Sequence, residues 1–327
     1  MERSKAQGDR GVDHSPHTPA AAPRAPAQRA PRALAQRLAG APISWGACEV
    51  PGWGLMPEPE TVLSEMAALG LAGTELGAPG FLPDDPEAIR AQCNRHGLRF
   101  VGGFTPLVLH EPDLDVTAAR RALSLLARAG GDVAVIAAVQ DAAWSPPRPL
   151  DNAGWSRLAT NAHAIQALAG EYGLTFALHP HVGTLIESDA QVQRALEITD
   201  VGWCLDTGHL MIGGTDPAGF ARDHGDRVTH VHLKDIDASV AAALMAGRLS
   251  LVQATRAGLF VALGSGAAPV AETLQALNEH RYGGWLVLEQ DTAITADEPA
   301  VTSASMLAAG QSIAFLNSAH TTEEINR

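Results

Sequence analysis

Cysteine is scarce in this 327-residue chain, and the three present, Cys48, Cys93 and Cys204, are odd in number, widely spaced and form no C-x-x-C pair. A disulfide framework is therefore excluded, and reduced thiols in a cytoplasmic setting are expected. No apolar run reaches the roughly 18 residues that a membrane-spanning helix needs. An apolar leader stretch is missing too, so no secretory signal is expected. Basic residues are in deficit: 23 Lys and Arg face 36 Asp and Glu, a net charge of −13. That balance opposes a nucleic-acid partner and suits a small polar substrate in a pocket neutralised by a cation.

What is present falls into two materials. Residues 1–40 hold six Arg and Lys5 against three acidic residues, with five Pro. Low hydrophobicity with Pro and charge predicts a disordered extension, most simply a solvated tail. Its excess of four positive charges leaves the remainder near −17. From residue 41 short apolar runs alternate with helical patterns. Strands are expected at 42–46, 71–76, 98–104, 132–139, 174–178, 201–205, 227–231 and 285–288. Acidic starts and glycine stops punctuate the helices between them, as over 83–97 and 151–173. Unalternating apolar strands separated by helices imply parallel βα units. Eight such units predict an α/β (β/α)8 TIM barrel over 41–318, one domain at this length, with a frayed tail at 319–327. Residues 236–268 exceed an ordinary βα loop and are expected to cover the barrel mouth.

Four consecutive strands end in ligand-type residues: His179 of HPH, Asp206 of DTGH, His232 of HVH and Glu289 of LEQD. Strand C-termini are where βα barrels place catalytic groups, so these four should converge. Any one histidine alone is most often a core or surface residue, but four ligand-type residues at one structural address favour a metal site. Imidazole with carboxylate suits Mn or Co, with Zn or Fe as further candidates, and disfavours Mg and Ca. His209, three residues after Asp206, should contact substrate. Of His230 and His232 one is expected to face the barrel axis, taken to be His232, and the other to pack beneath helices. His163, His224 and His280 lie on helices and receive no role.

HPHVGT, CLDTGHL, HVHLKD and VLEQD together, with GTELG around Glu75 and QATRAGLF at 253–260, resemble the xylose-isomerase-like TIM barrels of the sugar phosphate isomerase and epimerase family, in particular their myo-inosose-2 dehydratase branch. The resemblance covers 41–318. It implies a metal held by His179, Asp206, His232 and Glu289, with His209 as the substrate histidine of DTGH. Two departures stand out: His179 replaces a carboxylate, and LGSGAAPV after Phe260 replaces an acidic loop. Epimerisation next to a ketone commonly uses a carboxylate pair. Losing one carboxylate therefore favours elimination of water from a keto-inositol, with a keto-sugar or keto-inositol isomerase or epimerase as the alternative. On this reading His209 or Glu289 removes the α-proton. Lys234, Asp235 or His181 assists departure of hydroxide, and Trp45, Glu75 and Gln290 join His181 around the substrate. An abasic-site endonuclease would need more histidines on the second and third strands and a less acidic body. A non-catalytic barrel draws support only from the GSGAAP loop. A homo-oligomer is compatible with the fold.

Overall fold

The computed structural model describes residues 33–294 and 301–325. Most of the expected N-terminal extension, residues 1–32, lies outside them. Among the described residues are ten strands: β1 Leu38–Gly40, β2 Gly73–Glu75, β3 Arg99–Leu107, β4 Val133–Ala138, β5 Thr175–Leu178, β6 Trp203–Asp206, β7 Val228–Leu233, β8 Asp235–Ile236, β9 Phe260–Val261 and β10 Leu286–Leu288. Eight of them close into a parallel barrel in the order β1-β10-β7-β6-β5-β4-β3-β2. The expected (β/α)8 TIM barrel is the observed fold.

Seven of the expected barrel strands lie within a few residues of their anticipated bounds. The first does not: β1 is Leu38–Gly40, and Pro42–Trp45 forms a 3-10 turn closed by Gly46 in the left-handed region. The reason is local. Ala41 N–H still donates to the Leu288 carbonyl, but Pro42 has no N–H to continue the ladder. The chain then turns, with Ser44 N–H bonding back to Ala41 and Gly46 to Ile43.

Side chains alternate between two apolar layers, as the pleat requires. Inside the barrel lie Ala39, Val101, Val133, Val135, Ala177, Cys204, Trp285 and Val287. Between barrel and helices pack Leu38, Ile136, Leu178, Trp203, Leu205, Val231, Leu286 and Leu288. Several helices start on capping aspartates: Asp85, Asp115 and Asp151 accept from the N–H of Ala88, Ala118 and Gly154. The segment expected to cover the mouth holds helices Ala238–Met245 and Leu251–Arg256, and β9 pairs antiparallel with β8 outside the ring. Arg256 ties it to the loop after β1 through the carbonyls of Gly52 and Trp53.

Gly102 marks the tightest point of the barrel wall. Its φ is +150°, and a Cβ there would run into the Val133 carbonyl of β4. The β2–β3 register also shifts here, between Thr74 and Glu75. Gly102→Ala is expected to cost about 2–4 kcal/mol from strain and overpacking, read as a lower urea midpoint with unchanged far-UV dichroism.

Candidate active site

Alternation along β7 decides the centre of the site. His230, His232 and Lys234 are each two residues apart, so all three project to one face, the barrel interior, while Val231 and Leu233 point to the helices. The expectation that one of the two histidines would pack beneath helices is therefore wrong: period 2 puts both inside. Pairing fixes their heights. Cys204 of β6 lies opposite His230 and Asp206 opposite His232, while Val287 of β10 is level with His232. Glu289 follows one step higher, its N–H bonded to the Leu233 carbonyl.

Structure brings the four strand-end residues together. His232 Nδ1 lies 2.6 Å from Glu289 Oε2 and 3.6 Å from Asp206 Oδ2, and His179 Nε2 lies 3.4 Å from Asp206 Oδ2. Asp206, His232 and Glu289 each offer an atom within 4.8 Å of the others. His179 joins through Asp206. The second Asp206 oxygen accepts from the N–H of Gly208 and His209, capping the helix Thr207–Ile212 and aiming His209 back over the cluster.

Burial makes this cluster expensive unless it is compensated. His179, Asp206 and His232 are about 1% exposed or less, and bare carboxylates in such a setting cost several kcal/mol each. Lys234, the only lysine among the described residues, supplies one cation. Its Nζ sits 3.5 Å from Asp206, 3.1 Å from Glu289 and 3.0 Å from Asp291. Burial works against its charge, but those carboxylates hold the ammonium above its ordinary range. Lys234 in turn holds Asp206 well below the carboxylate range against the pull of burial, and His232 with Lys234 holds Glu289 at about 2.

The donor set fits a divalent cation. His232 Nδ1 and Glu289 Oε2 are both buried and approach closely, yet neither finds a hydrogen bond. Glu75 Oε1 accepts from His232 Nε2 at 3.1 Å and from His230 Nε2 at 2.8 Å. A carboxylate only accepts, so Nε2 carries the proton and Nδ1 turns its lone pair toward two carboxylates. Only a proton or a metal ion relieves that meeting. Burial opposes a charged ring, but Cys204, Glu289 and Glu75 hold His232 well above the imidazole range, so a proton fills the position when no metal does.

Other expected site residues are placed as follows. His209 Nε2 lies 3.3 Å from Lys234 Nζ, and burial, reinforced by His181 and Lys234, keeps its ring neutral. His181 packs against His209 with ring centroids 3.9 Å apart and the rings tilted by 41°, is held by burial at about 3, and lies 2.7 Å from the Val182 carbonyl through Nδ1. Gln290 is half-buried, its Nε2 3.4 Å from the Phe260 carbonyl. Three residues are elsewhere or otherwise engaged. Trp45 is fully buried between barrel and helix Pro59–Ala68, its indole N–H bonded to Glu65, so it does not line the site. Glu75 lies beneath the cluster, engaged by two histidines. Asp235 points away: one oxygen accepts from Ile236 and Ala268 N–H, the other from Gly264 and Gly266. It anchors the GSGAAP loop and has no lone pair left for proton transfer.

Sequence reasoning missed Asp291, whose carboxyl is raised to about 6 by burial against the pull of Lys234. Position 291 is two beyond Glu289, and the same period-2 count would have found it. Phe104 and Trp144, whose rings flank His179 and His181, carried no motif.

A parallel βα barrel with imidazoles and carboxylates gathered at its C-terminal mouth defines the class. The particular family follows from comparison: the chain belongs to the xylose isomerase-like TIM barrel family, whose model matches residues 63–317. It is 30% identical to an inosose dehydratase of Geobacillus kaustophilus over 275 residues, 79% of this chain and 89% of that protein. It is 32% identical to the rhizopine catabolism protein MocC of Rhizobium meliloti over 267 residues, 78% of this chain and 81% of that one. Solved structures share the fold. An L-ribulose 3-epimerase superposes with a TM-score of 0.63 at 18% identity, covering 88% of this chain and 97% of that one. The IOLI protein, solved with a bound zinc atom, superposes with 0.62 at 13%, covering 86% and 97%. Among the described residues no helix is long and apolar enough to cross a membrane.

Metal uptake should release one proton, from His232, because Asp206 and Glu289 are already ionised. Zinc affinity should therefore rise about tenfold per pH unit through the neutral range and level off once pH passes the raised His232 pKa. Competition titrations against a chromophoric chelator read this slope, and a pH-independent affinity would contradict the assignment.

Proposed function

We propose that this chain is a divalent-metal-dependent hydro-lyase that removes water from a keto-inositol. The observation that carries the reading is the pairing of a neutral imidazole, His209, with a protonated amine, Lys234, 3.3 Å apart beside the cation-ligand atoms. The similarity to inosose dehydratases across most of both chains supports the substrate class. His179, Asp206, His232 and Glu289 would hold the cation. When bound there, the cation supplies a Lewis acid that polarises the ketone and stabilises charge developing on its oxygen.

The chain's own groups move the protons. His209 Nε2 takes the proton from the carbon next to the ketone while the C–O bond on the following carbon breaks. Lys234 Nζ protonates the departing hydroxide, which leaves as water. The resulting enol tautomerises to a 1,2-diketone. Afterwards the proton on His209 returns to Lys234 across the contact that joins them. Asp291 and Glu289 hold the ammonium in place, while Phe104, Trp144 and Phe260 exclude water. The three free thiols support a reducing, cytoplasmic setting.

A second reading, isomerisation or epimerisation, draws on the two neutral imidazoles His181 and His209, tilted against each other with ring centroids 3.9 Å apart, which could carry a proton on and off adjacent carbons. The test is an assay with scyllo-inosose in deuterated water, supplemented with Mn2+, Co2+ or Zn2+. Growth of diketone absorbance is expected; deuterium in recovered ketose without loss of water would instead establish the second reading. His179→Ala should lower both bound metal and kcat/KM by at least the roughly 10–100-fold that removing even an outer partner costs. Unchanged metal content and turnover would remove His179 from the ligand set.

A further inference from the structure

Glu75 is a buried carboxylate at this end of the barrel that, like the loop-anchoring Asp235, touches neither Lys234 nor the converging atoms of Asp206, Glu289 and His232 Nδ1 in any contact the structure shows. It ends β2, on the far side of the ring from β6, and is 5% exposed. Both its close contacts run to β7: His230 Nε2 at 2.8 Å and His232 Nε2 at 3.1 Å, through the same oxygen, Oε1. The register shift between Thr74 and Glu75 brings that carboxylate level with the histidines, since Glu75 pairs with Gly102 after Thr74 has paired with Phe100.

From this geometry we infer that Glu75 is a positioning residue, which sets the tautomer of His232 and so makes Nδ1 the ligating nitrogen. This inference rests on the metal reading above. Imidazole has two nitrogens and, when neutral, one proton. Glu75 can only accept, so it draws that proton to Nε2 and leaves the Nδ1 lone pair facing Asp206 and Glu289. A group able to donate at position 75 would reverse the order: Nε2 would accept, Nδ1 would carry hydrogen, and the ring would bond the two carboxylates instead of a cation. Such orientation by an outer carboxylate commonly governs metal affinity. His230 shares the acceptor and buttresses Oε1 from one layer below, level with Cys204.

Glu75→Gln tests this with almost no change of shape. Zinc affinity, measured by chelator competition on the full chain, is expected to fall about 10–100-fold while near-UV dichroism and the unfolding midpoint stay close to wild type. The discriminating readout is two-bond 1H–15N correlation spectroscopy of 15N-histidine-labelled, zinc-loaded protein. His232 should show protonated Nε2 and a zinc-shifted Nδ1 in the wild type, with that pattern weakened or inverted in E75Q. Coordination through Nε2 in the wild type, or wild-type zinc affinity in E75Q, would overturn the inference. Failure of the dehydratase reading is separable, because neither measurement depends on turnover. A wild-type chain that binds no zinc at His232 would overturn the metal reading and this inference together.

Discussion

The mouth of this barrel is governed by one constraint: three carboxylates, Asp206, Glu289 and Asp291, crowd within 3.5 Å of a single ammonium, Lys234, while a fourth, Glu75, is buried against His230 and His232. Nothing apolar can offset that arrangement, since each uncompensated charge costs more than a well-packed side chain returns. The histidines of β5 and β7 make it tolerable. His232 stands at the middle, one nitrogen bonded to Glu75 below and the other facing Asp206 and Glu289. A proton or a metal ion completes the balance, and the two exchange as one. Fold stability at this end of the barrel and cation affinity are thus expressions of the same electrostatic demand.

Neighbouring residues answer to different parts of this demand. Lys234 and Asp235 are adjacent in sequence and opposite in charge, yet they do not pair with each other. Lys234 continues the inward face of β7 and meets the carboxylates. Asp235 begins β8 and collects four backbone N–H groups from its own neighbour and the GSGAAP loop. The absence of acidic side chains from that loop leaves its anchorage intact: Asp235 binds the loop through backbone, so side-chain identity there matters little to its path.

The barrel is legible in the sequence because its signals are local and repeated. Apolar runs of strand length, capping aspartates and terminal glycines recur along the chain, and one misplaced strand, undone by Pro42, leaves the pattern whole. The convergence of 179, 206, 232 and 289 is legible for a topological reason, since consecutive strand ends of a closed barrel are neighbours in space. Roles are harder to read. Glu75 reads as a pocket residue from its strand-end position, and only the register shift at Thr74 shows that it sits below the cluster. Trp45 is misplaced together with its strand. His230 is lost to a miscounted pleat rather than to a missing signal. Trp144, at φ +57° on an irregular loop, has no periodicity to betray it.

Burial of the cluster also limits how chemistry can proceed. The polar atoms of His179, Asp206 and His232, residues at or below about 1% exposure, cannot meet a molecule from solvent unless the groups above them move. Those groups are rings: Phe104, Trp144, His181, His209 and Phe260, each contacting the next or the cluster at 3.9–6.3 Å. Trp144 is the outermost and is 41% exposed, while its loop is pinned by Asp141, which accepts from the N–H of Ala143 and Ser145, and by Gln140, which accepts from Arg148. Rotation of side chains over a braced backbone therefore admits a substrate at lower cost than displacement of the loop. On the proposed dehydratase reading this arrangement is useful, because rings that swing aside for a substrate and return would keep bulk water from the enol left by elimination.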